Sequence, residues 1–179
     1  ALEEAIRIKE EVGGNVTVIS MGPPQAKESL LEAYAMGADE AVLLSDRAFA
    51  GSDTWATAYT LSQAIKELGE YDIIFCGRQA IDGDTAQVGP QVAENLKIPQ
   101  LTYVSEINLE DNKITAKRQL EDGYSMVETK LPVLLTVIDG LNEPRYPSIK
   151  RIVDAYSGEE TVKVWGVEDF AVDRDKLGL

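Results

Sequence analysis

The chain alternates short apolar runs with segments of helical periodicity, and this alternation constrains the fold more than any other feature. Strand-like runs cover residues 15–20, 40–45, 71–76 and 133–138, and helical patterns separate the first three of them. Such alternation predicts βαβ units and a parallel sheet. The runs are continuously apolar, which is typical of strands covered on both faces.

The part of the chain between residues 101 and 129 has a different pattern. Three short strand-like runs, 101–104, 113–117 and 125–129, turn at Asp111-Asn112 and Asp122-Gly123. This spacing predicts an antiparallel extension at the edge of the sheet. The predicted fold class is therefore α/β: a Rossmann-like open parallel sheet with helices on both faces and an antiparallel edge extension. We assign residues 1–155 to this domain and residues 156–179 to a C-terminal tail.

Composition excludes several classes of function. The 179 residues include 31 acidic and 17 basic side chains, a net charge of −14, and no histidine. Nucleic acid is an unfavourable partner, because phosphate backbones are bound through lysine and arginine. Without histidine the chain itself holds neither a Ser-His-Asp triad nor a histidine-ligated metal. We assign no catalytic acid, base or nucleophile and no metal ligand.

The apolar runs are too short for a membrane span, which needs about 18 consecutive apolar residues, so we expect no membrane insertion. The single cysteine, Cys76, cannot form an internal disulfide and is compatible with a reducing compartment, and we expect a cytoplasmic protein. The sequence begins at Ala1, directly in a helical pattern. We expect that an upstream segment precedes it and that the carboxyl end is also truncated.

One loop carries the strongest functional signal. It leaves the strand at 71–76 and leads into a helix, so it lies at the carboxyl end of a parallel strand, where α/β proteins bind ligands. Glycines let its backbone approach a ligand, and unpaired N–H groups before the helix favour a phosphate or pyrophosphate. Arg78 could add positive charge, and Thr85 and Gln87 could donate hydrogen bonds. The candidate binding residues are Gly77, Arg78, Gln79, Ala80, Ile81, Asp82, Gly83, Asp84, Thr85, Ala86, Gln87 and Val88.

A purely structural loop explains the same spacing equally well. Asp84 could cap the helix, and Asp82-Gly83 could form an ordinary turn. Two aspartates also repel a phosphate unless their carboxylates point away or cap backbone N–H groups. The loop matches neither the GxGxxG nor the Walker A pattern, and a calcium loop would need further ligands.

Three other features have mainly structural interpretations. Met21 ends an earlier strand at the same edge, where an ordinary turn is the simpler explanation. Cys76 is expected to be an inert buried thiol, because no neighbour in the sequence would lower its pKa. The aromatic residues Tyr34, Trp55 and Tyr59 occupy helical positions and are expected in the core.

The motifs as a set resemble the beta subunit of electron transfer flavoproteins, nearly throughout the chain. The resemblance rests on the Gly77–Gln87 motif and on four further stretches: Ala35-Met36-Gly37-Ala38-Asp39, Lys117-Arg118-Gln119-Leu120-Glu121-Asp122-Gly123, Lys130-Leu131-Pro132 and Leu141-Asn142-Glu143-Pro144-Arg145-Tyr146. Ser125 departs from the acidic or amide residue usual in the family.

This resemblance implies a heterodimer with a larger alpha subunit, which the tail at 156–179 would wrap as an arm. It also implies that the loop is a nucleotide site and that Met21 lines the adenine or ribose region. The family's first strand and an Asn-Pro segment lie upstream of the helix that opens this sequence. Part of the site is therefore expected outside the chain, and a sheet without that strand would have an unpaired gap.

Ordinary members of the family hold AMP in the beta subunit as a structural ligand, whereas electron-bifurcating members hold FAD there and accept electrons from NADH. Ordinary members tend to have Asp-Asp-Asp followed by Asn-Gln-Thr-Gly. This chain has Asp82-Gly83-Asp84 followed by Thr85-Ala86-Gln87-Val88-Gly89, which resembles the bifurcating group. Gly83 also removes a side chain and a charge, which suits a pyrophosphate. The prediction is FAD, with AMP as the alternative.

The family's docking segment for a partner dehydrogenase maps to residues 147–152. We predict Ile149 as the apolar anchor for an acyl-CoA dehydrogenase or similar flavin dehydrogenase. A buried helix-start residue is the structural alternative for Ile149, and Ile152 is a rival anchor. The lysine-rich run of many relatives is replaced by an acidic stretch at 154–160.

Two other functions compete with a bifurcating carrier. The first is an ordinary electron transfer flavoprotein whose beta subunit holds AMP and shuttles electrons from an acyl-CoA dehydrogenase to a downstream acceptor. The second is an ATP-hydrolysing or stress-type α/β nucleotide binder, against which the missing Walker A loop counts.

Overall fold

Parallel strands flanked by helices make up much of the chain, as the sequence predicts. The computed structural model describes residues 1–157 and 161–178. Its helices are α1 (Leu2–Val12), α2 (Lys27–Met36), α3 (Thr54–Leu68), α4 (Val88–Leu96) and α5 (Ile149–Ser157). Its strands are β1 (Thr17–Met21), β2 (Glu40–Leu44), β3 (Ile73–Gly77), β4 (Gln100–Glu110), β5 (Lys113–Leu120), β6 (Gly123–Lys130), β7 (Val133–Val137) and β8 (Lys163–Trp165).

The described residues divide into two compact units, each with its own sheet. Thr54–Asn142 form what we call the central unit, and Leu2–Asp53 with the described residues after Asn142 form the terminal unit. The sequence predicts the parallel strands but not their division between two sheets. No helix in the described ranges is long and apolar enough to cross a membrane.

The sheet of the central unit has the strand order β3-β7-β4-β5-β6. The pairs β3-β7 and β7-β4 are parallel, and β4-β5 and β5-β6 are antiparallel. This order confirms the predicted parallel sheet with an antiparallel extension. The short runs predicted at 101–104, 113–117 and 125–129 all lie within longer strands.

Strand β7 is the centre of this sheet, and all five of its residues are buried. Val133, Leu135 and Val137 pack into one cluster with residues of β4 and β5. Leu134 instead joins a second cluster with Ala58 of α3 and residues of α4. Because alternate residues of a strand face opposite sides, β7 needs apolar side chains on both faces, which explains its unbroken apolar run.

The terminal unit contains a parallel sheet with the order β1-β2-β8. Leu30 of α2 packs with Ala41 and Leu43 of β2 and with Val162, directly before β8. Strand β8 lies within residues 156–179, for which the sequence predicts a C-terminal tail and no strand. Whether residues 156–179 also wrap a partner subunit stays a prediction.

Arg145 ties the two segments of the terminal unit together. Its Nη2 lies 3.0 Å from Oε1 of Glu3, and its backbone N–H donates to Oε2 of the same carboxylate at 3.0 Å. Its Nη1 and Nη2 also bond the Glu10 carboxylate at 2.5 and 2.9 Å. Glu3 is only 6% exposed, so its charge depends on this guanidinium. The hydrogen bond from Arg145 is the main cause of the lowered pKa of Glu3.

Arg145→Ala should lower the free energy of unfolding at pH 7 by about 1–3 kcal/mol, because the buried Glu3 carboxylate loses its partner. A carboxyl whose pKa is lowered on folding stabilises the fold above its ordinary value of 4.5, and this contribution is lost as the pH falls through the folded-state pKa. Urea unfolding should therefore show a smaller effect of the substitution at pH 3 than at pH 7.

Arg7→Ala is the matched control, because Arg7 on α1 lies 3.6 Å from the Glu4 carboxylate and makes a smaller contribution than Arg145 to the lowered pKa of Glu3. It should cost less than about 1 kcal/mol. An effect of Arg145→Ala that is equal at both pH values would contradict the assignment to Glu3.

Candidate functional site

The loop singled out in the sequence joins β3 to α4 at the carboxyl edge of the parallel pair β3-β7. In that pair Cys76 lies beside Thr136 and Gly77 lies beside Val137, so both strands end together. Helix α4 begins at Val88. Residues 78–87 therefore lie beyond the strand ends, where open parallel sheets bind ligands.

The two aspartates of the loop are held by the loop itself. Asp82 Oδ1 accepts a hydrogen bond from the Gly83 N–H at 2.8 Å. The carboxylate of Asp84 accepts a hydrogen bond from the Gln79 side-chain amide. The backbone N–H of Asp84 donates to the Ala80 carbonyl at 3.0 Å. Each of the two bonds to a carboxylate engages one of its oxygens and offsets part of the repulsion that a bound phosphate would meet.

Two loop residues adopt a backbone conformation that side chains disfavour. Asp84 has φ of 48° and Ala86 has φ of 54°. A non-glycine residue in the left-handed region costs about 1 kcal/mol or more, and such strain clusters at ligand-binding sites. The sequence predicts a glycine-bearing turn here but not these two positions.

The start of α4 leaves backbone donors available. Gln87 is the N-cap and its side chain forms no capping bond, so the alternative in which Asp84 caps the helix is wrong. The first intrahelical bond runs from the Gln91 N–H to the Gln87 carbonyl at 3.0 Å. Helix geometry therefore leaves the N–H groups of Val88 and Gly89 without an intrahelical acceptor, and Pro90 has none. Such N–H groups bind anions.

The loop is open enough for a ligand to reach its backbone. Gly83 is exposed, and a Cβ added to either Gly77 or Gly83 would meet no atom within 4 Å. Arg78 and residues 80–85 are also exposed, and Ile81 is fully so. Arg78 Nε donates to Gln79 Oε1 at 3.0 Å, so the one cation in the loop lies along its first half.

Two polar residues outside the predicted set, Thr54 and Gln91, lie at the α4 end of the loop. Thr54 Oγ1, at the start of α3, donates to Gln87 Oε1 at 3.2 Å, and Gln91 Nε2 donates to Thr54 Oγ1 at 3.4 Å. Gln91 Oε1 is buried and has no hydrogen-bond partner in the described part of the chain. The hydroxyl of Thr54 at the start of a predicted helix is a feature of the sequence that could have pointed to this residue. Nothing in the sequence places Gln91 beside Thr54, because only the fold brings the two together.

Met21 is the last residue of β1 in the terminal unit, paired with Leu44 of β2. The next N–H, from Gly22, donates to the Leu44 carbonyl at 3.0 Å. Met21 therefore lies at the carboxyl end of a parallel strand, as predicted. The prediction that this strand end shares a sheet edge with the loop is wrong, because β1 and β3 belong to different sheets. Its role toward a nucleotide stays a prediction.

The expected inert character of Cys76 agrees with its environment, because burial raises the pKa of its thiol to about 11. The prediction that Trp55 is a core residue is wrong. Trp55 is 48% exposed and stacks on Tyr59 with ring centroids 5.8 Å apart. Among the residues that the structure describes, no group of three or more acidic or cysteine side chains could hold a metal ion.

Ile149 is the first residue of α5 and is 83% exposed. The alternative in which it is a buried helix-start residue is therefore wrong. Ile152 is less exposed, at 40%, and Val153 and Tyr156 add apolar surface to the same helix. Because Ile149 is exposed, its side chain is accessible to a docking partner. Docking through Ile149 stays a prediction.

Comparison with known proteins agrees with this fold. Residues 1–169 match the family model described as the electron transfer flavoprotein domain. The chain is 64% identical over its full length to electron transfer flavoprotein subunit beta of Thermoanaerobacterium thermosaccharolyticum, of which it spans 68%. It is 54% identical over its full length to the caffeyl-CoA reductase-Etf complex subunit CarD of Acetobacterium woodii, again spanning 68%. Over 88% of its length it is 52% identical to the acryloyl-CoA reductase electron transfer subunit gamma of Anaerotignum propionicum, spanning 60% of that protein.

The fold and the loop together define an α/β protein with a ligand-accessible loop at the end of a parallel strand pair. The family model matches nearly the whole chain, and the identities to relatives are high. The chain therefore belongs to the electron transfer flavoprotein family, and its relatives include the family's beta subunits.

Proposed function

We propose that this chain is the beta subunit of an electron-bifurcating electron transfer flavoprotein and binds FAD at the Gly77–Val88 loop. Electrons would pass from NADH through this FAD to the flavin of an alpha subunit and to a partner dehydrogenase. When bound, FAD supplies the hydride acceptance and the single-electron release, and the protein supplies position and electrostatics. We also propose a cytoplasmic location.

The observation that carries the choice of FAD is the open backbone at Gly83. No atom lies within 4 Å of the place where a Cβ would be. Asp82 and Asp84 on either side are engaged within the loop. This arrangement suits a diphosphate that continues to a second group, because the longer, charged side chain of a third aspartate at position 83 would crowd and repel it.

The binding roles follow from the positions of the loop residues. The N–H groups of Val88 and Gly89 are suited to donate hydrogen bonds to a phosphate oxygen at the start of α4. Arg78 would supply the positive charge, and Thr85 and Gln87 would add side-chain hydrogen bonds. The buried, unpartnered Gln91 Oε1 fits a site that is completed by a donor from outside the described chain, such as a ligand hydroxyl or a water.

The proposed partners follow from family membership and from the names of relatives. Two relatives are named as parts of caffeyl-CoA reductase and acryloyl-CoA reductase systems. We therefore propose an acyl-CoA dehydrogenase or similar flavin dehydrogenase as the partner, docked through Ile149 at the exposed start of α5.

The stoichiometry of released nucleotides tests the choice of cofactor. The complete subunit is purified with its alpha subunit, denatured, and its nucleotides are separated by chromatography. We expect two FAD and no AMP per heterodimer. One FAD with one AMP would instead support an ordinary electron shuttle with a structural nucleotide in this loop, and ATP turnover would support neither.

Gly83→Asp should weaken FAD retention in the beta subunit by about tenfold or more, because it adds a carboxylate beside the proposed diphosphate. Gly83→Ala is the matched control, since its methyl enters open space and adds no charge. FAD content after dialysis should fall only in the aspartate variant. Equal retention in all three proteins would overturn this account of the loop.

Ile149→Ala should reduce kcat/KM for electron delivery to the partner dehydrogenase by about tenfold or more, the size typical of an apolar anchor at an interface. Flavin content should stay unchanged. Leu120→Ala, which truncates another half-exposed apolar side chain, at the end of β5, is the control and should deliver electrons normally. Normal electron delivery by the Ile149→Ala variant would refute the assignment of Ile149 as the anchor. If only Ile152→Ala reduces electron delivery, Ile152 is the anchor.

A further inference from the structure

Gly89, in the first turn of α4, lies in unusually close contact with the central strands. A Cβ built on Gly89 would lie 2.7 Å from Cγ2 of Thr136, 3.5 Å from Cβ of Cys76 and 3.6 Å from Cδ2 of Leu134. Gly89 is itself buried. Any side chain there would push the start of α4 away from the sheet, because a carbon–carbon approach of 2.7 Å is strongly repulsive.

The neighbour that faces Gly89 cannot easily move aside. Thr136 is 3% exposed, and its Oγ1 accepts a hydrogen bond from the Tyr103 N–H at 3.2 Å. A β-branched side chain has few alternative rotamers, and rotation here would break that bond. The hydroxyl therefore fixes the direction of the methyl group that defines the space left for Gly89.

We propose that Gly89 and Thr136 are positioning residues for the nucleotide site: their contact sets how close the first turn of α4 lies to the end of the β3-β7 pair. This inference rests on the proposed function of the loop. The Thr136 side chain does not need to touch the nucleotide, because the pair acts through the backbone N–H groups of Val88 and Gly89 at the start of α4.

The same contact also fixes the two ends of the loop relative to each other. Cys76 and Thr136 are paired across β3 and β7, and Gly89 packs on both of them. The loop leaves β3 after Gly77, one residue beyond Cys76, and enters α4 at Val88, one residue before Gly89. A shift of Gly89 outward would therefore open the loop at its base and displace the N–H groups of Val88 and Gly89 together.

The test uses the complete subunit with its alpha subunit and three variants. Gly89→Ala adds the methyl that would collide with Thr136. Thr136→Ser removes the opposing methyl but keeps the hydroxyl that Tyr103 needs. The double variant Gly89→Ala/Thr136→Ser exchanges one methyl for the other, so it should restore the approach of α4 to the sheet.

Two measurements are made on each protein, with AMP and FAD as the probes of binding after removal of bound nucleotide. Gly89→Ala should weaken binding of the probe that the wild type retains by about tenfold, the size of one lost hydrogen bond to a charged group. Hydrogen exchange of the segment containing Val88 should also accelerate. The double variant should recover most of both properties.

A destabilised control separates positioning from general loss of stability. Ile114→Val shortens a fully buried side chain of β5 in the other core cluster of the central unit. It should lower the melting temperature and leave nucleotide affinity unchanged. A folded Gly89→Ala protein with wild-type affinity, or a double variant that recovers melting temperature but not affinity, would overturn the inference.

The two levels of the proposal fail in different ways. If the wild type binds neither AMP nor FAD, the proposed function fails and this positioning role falls with it. The exchange data would then still report whether Gly89 and Thr136 set the position of α4. If the wild type binds a nucleotide and Gly89→Ala binds it equally well, only the positioning inference fails.

Discussion

The burial of β7 on both faces is the constraint on which the central unit depends. Its odd-numbered residues pack toward β4 and β5, and Leu134 packs toward α3 and α4. The strand is joined by parallel pairing to β3 on one side and to β4 on the other. The carboxyl ends of β3 and β7 therefore coincide, and the loop that follows β3 opens at a rigid edge.

Backbone geometry rather than cationic side chains provides the electrostatics of the candidate site. The whole chain carries a net charge of −14, and Arg78 is the one cation between Gly77 and Val88. An anion at this loop would be bound mainly by N–H dipoles, which keep their position and cannot be deprotonated near neutral pH. The hydrogen bonds to the carboxylates of Asp82 and Asp84 reduce the repulsion that such an anion would meet.

Periodicity was sufficient to predict the principal helices and strands, and the glycine loop was predicted at the correct end of β3. The sequence did not predict β8 or the division into two sheets, because these depend on pairings between residues far apart in the chain, such as Val42 with Lys163. The contacts of Thr54 with Gln87 and of Gly89 with Thr136 were missed for the same reason. The exposure of Trp55 shows that an apolar position on a helix does not by itself establish burial.

The terminal unit is built from two segments that flank the central unit in the sequence. The hydrogen bonds between Glu3 and Arg145 join residues 142 positions apart. During synthesis the central unit is complete once Asn142 has been added, whereas Leu2–Asp53 still lack β8, α5 and Arg145. Domains generally fold as units during synthesis, so β2 lacks its parallel neighbour β8 until residues 163–165 have been added. An unpaired strand edge can pair with another chain, so Leu2–Asp53 stay open to such pairing for longer than the central unit does.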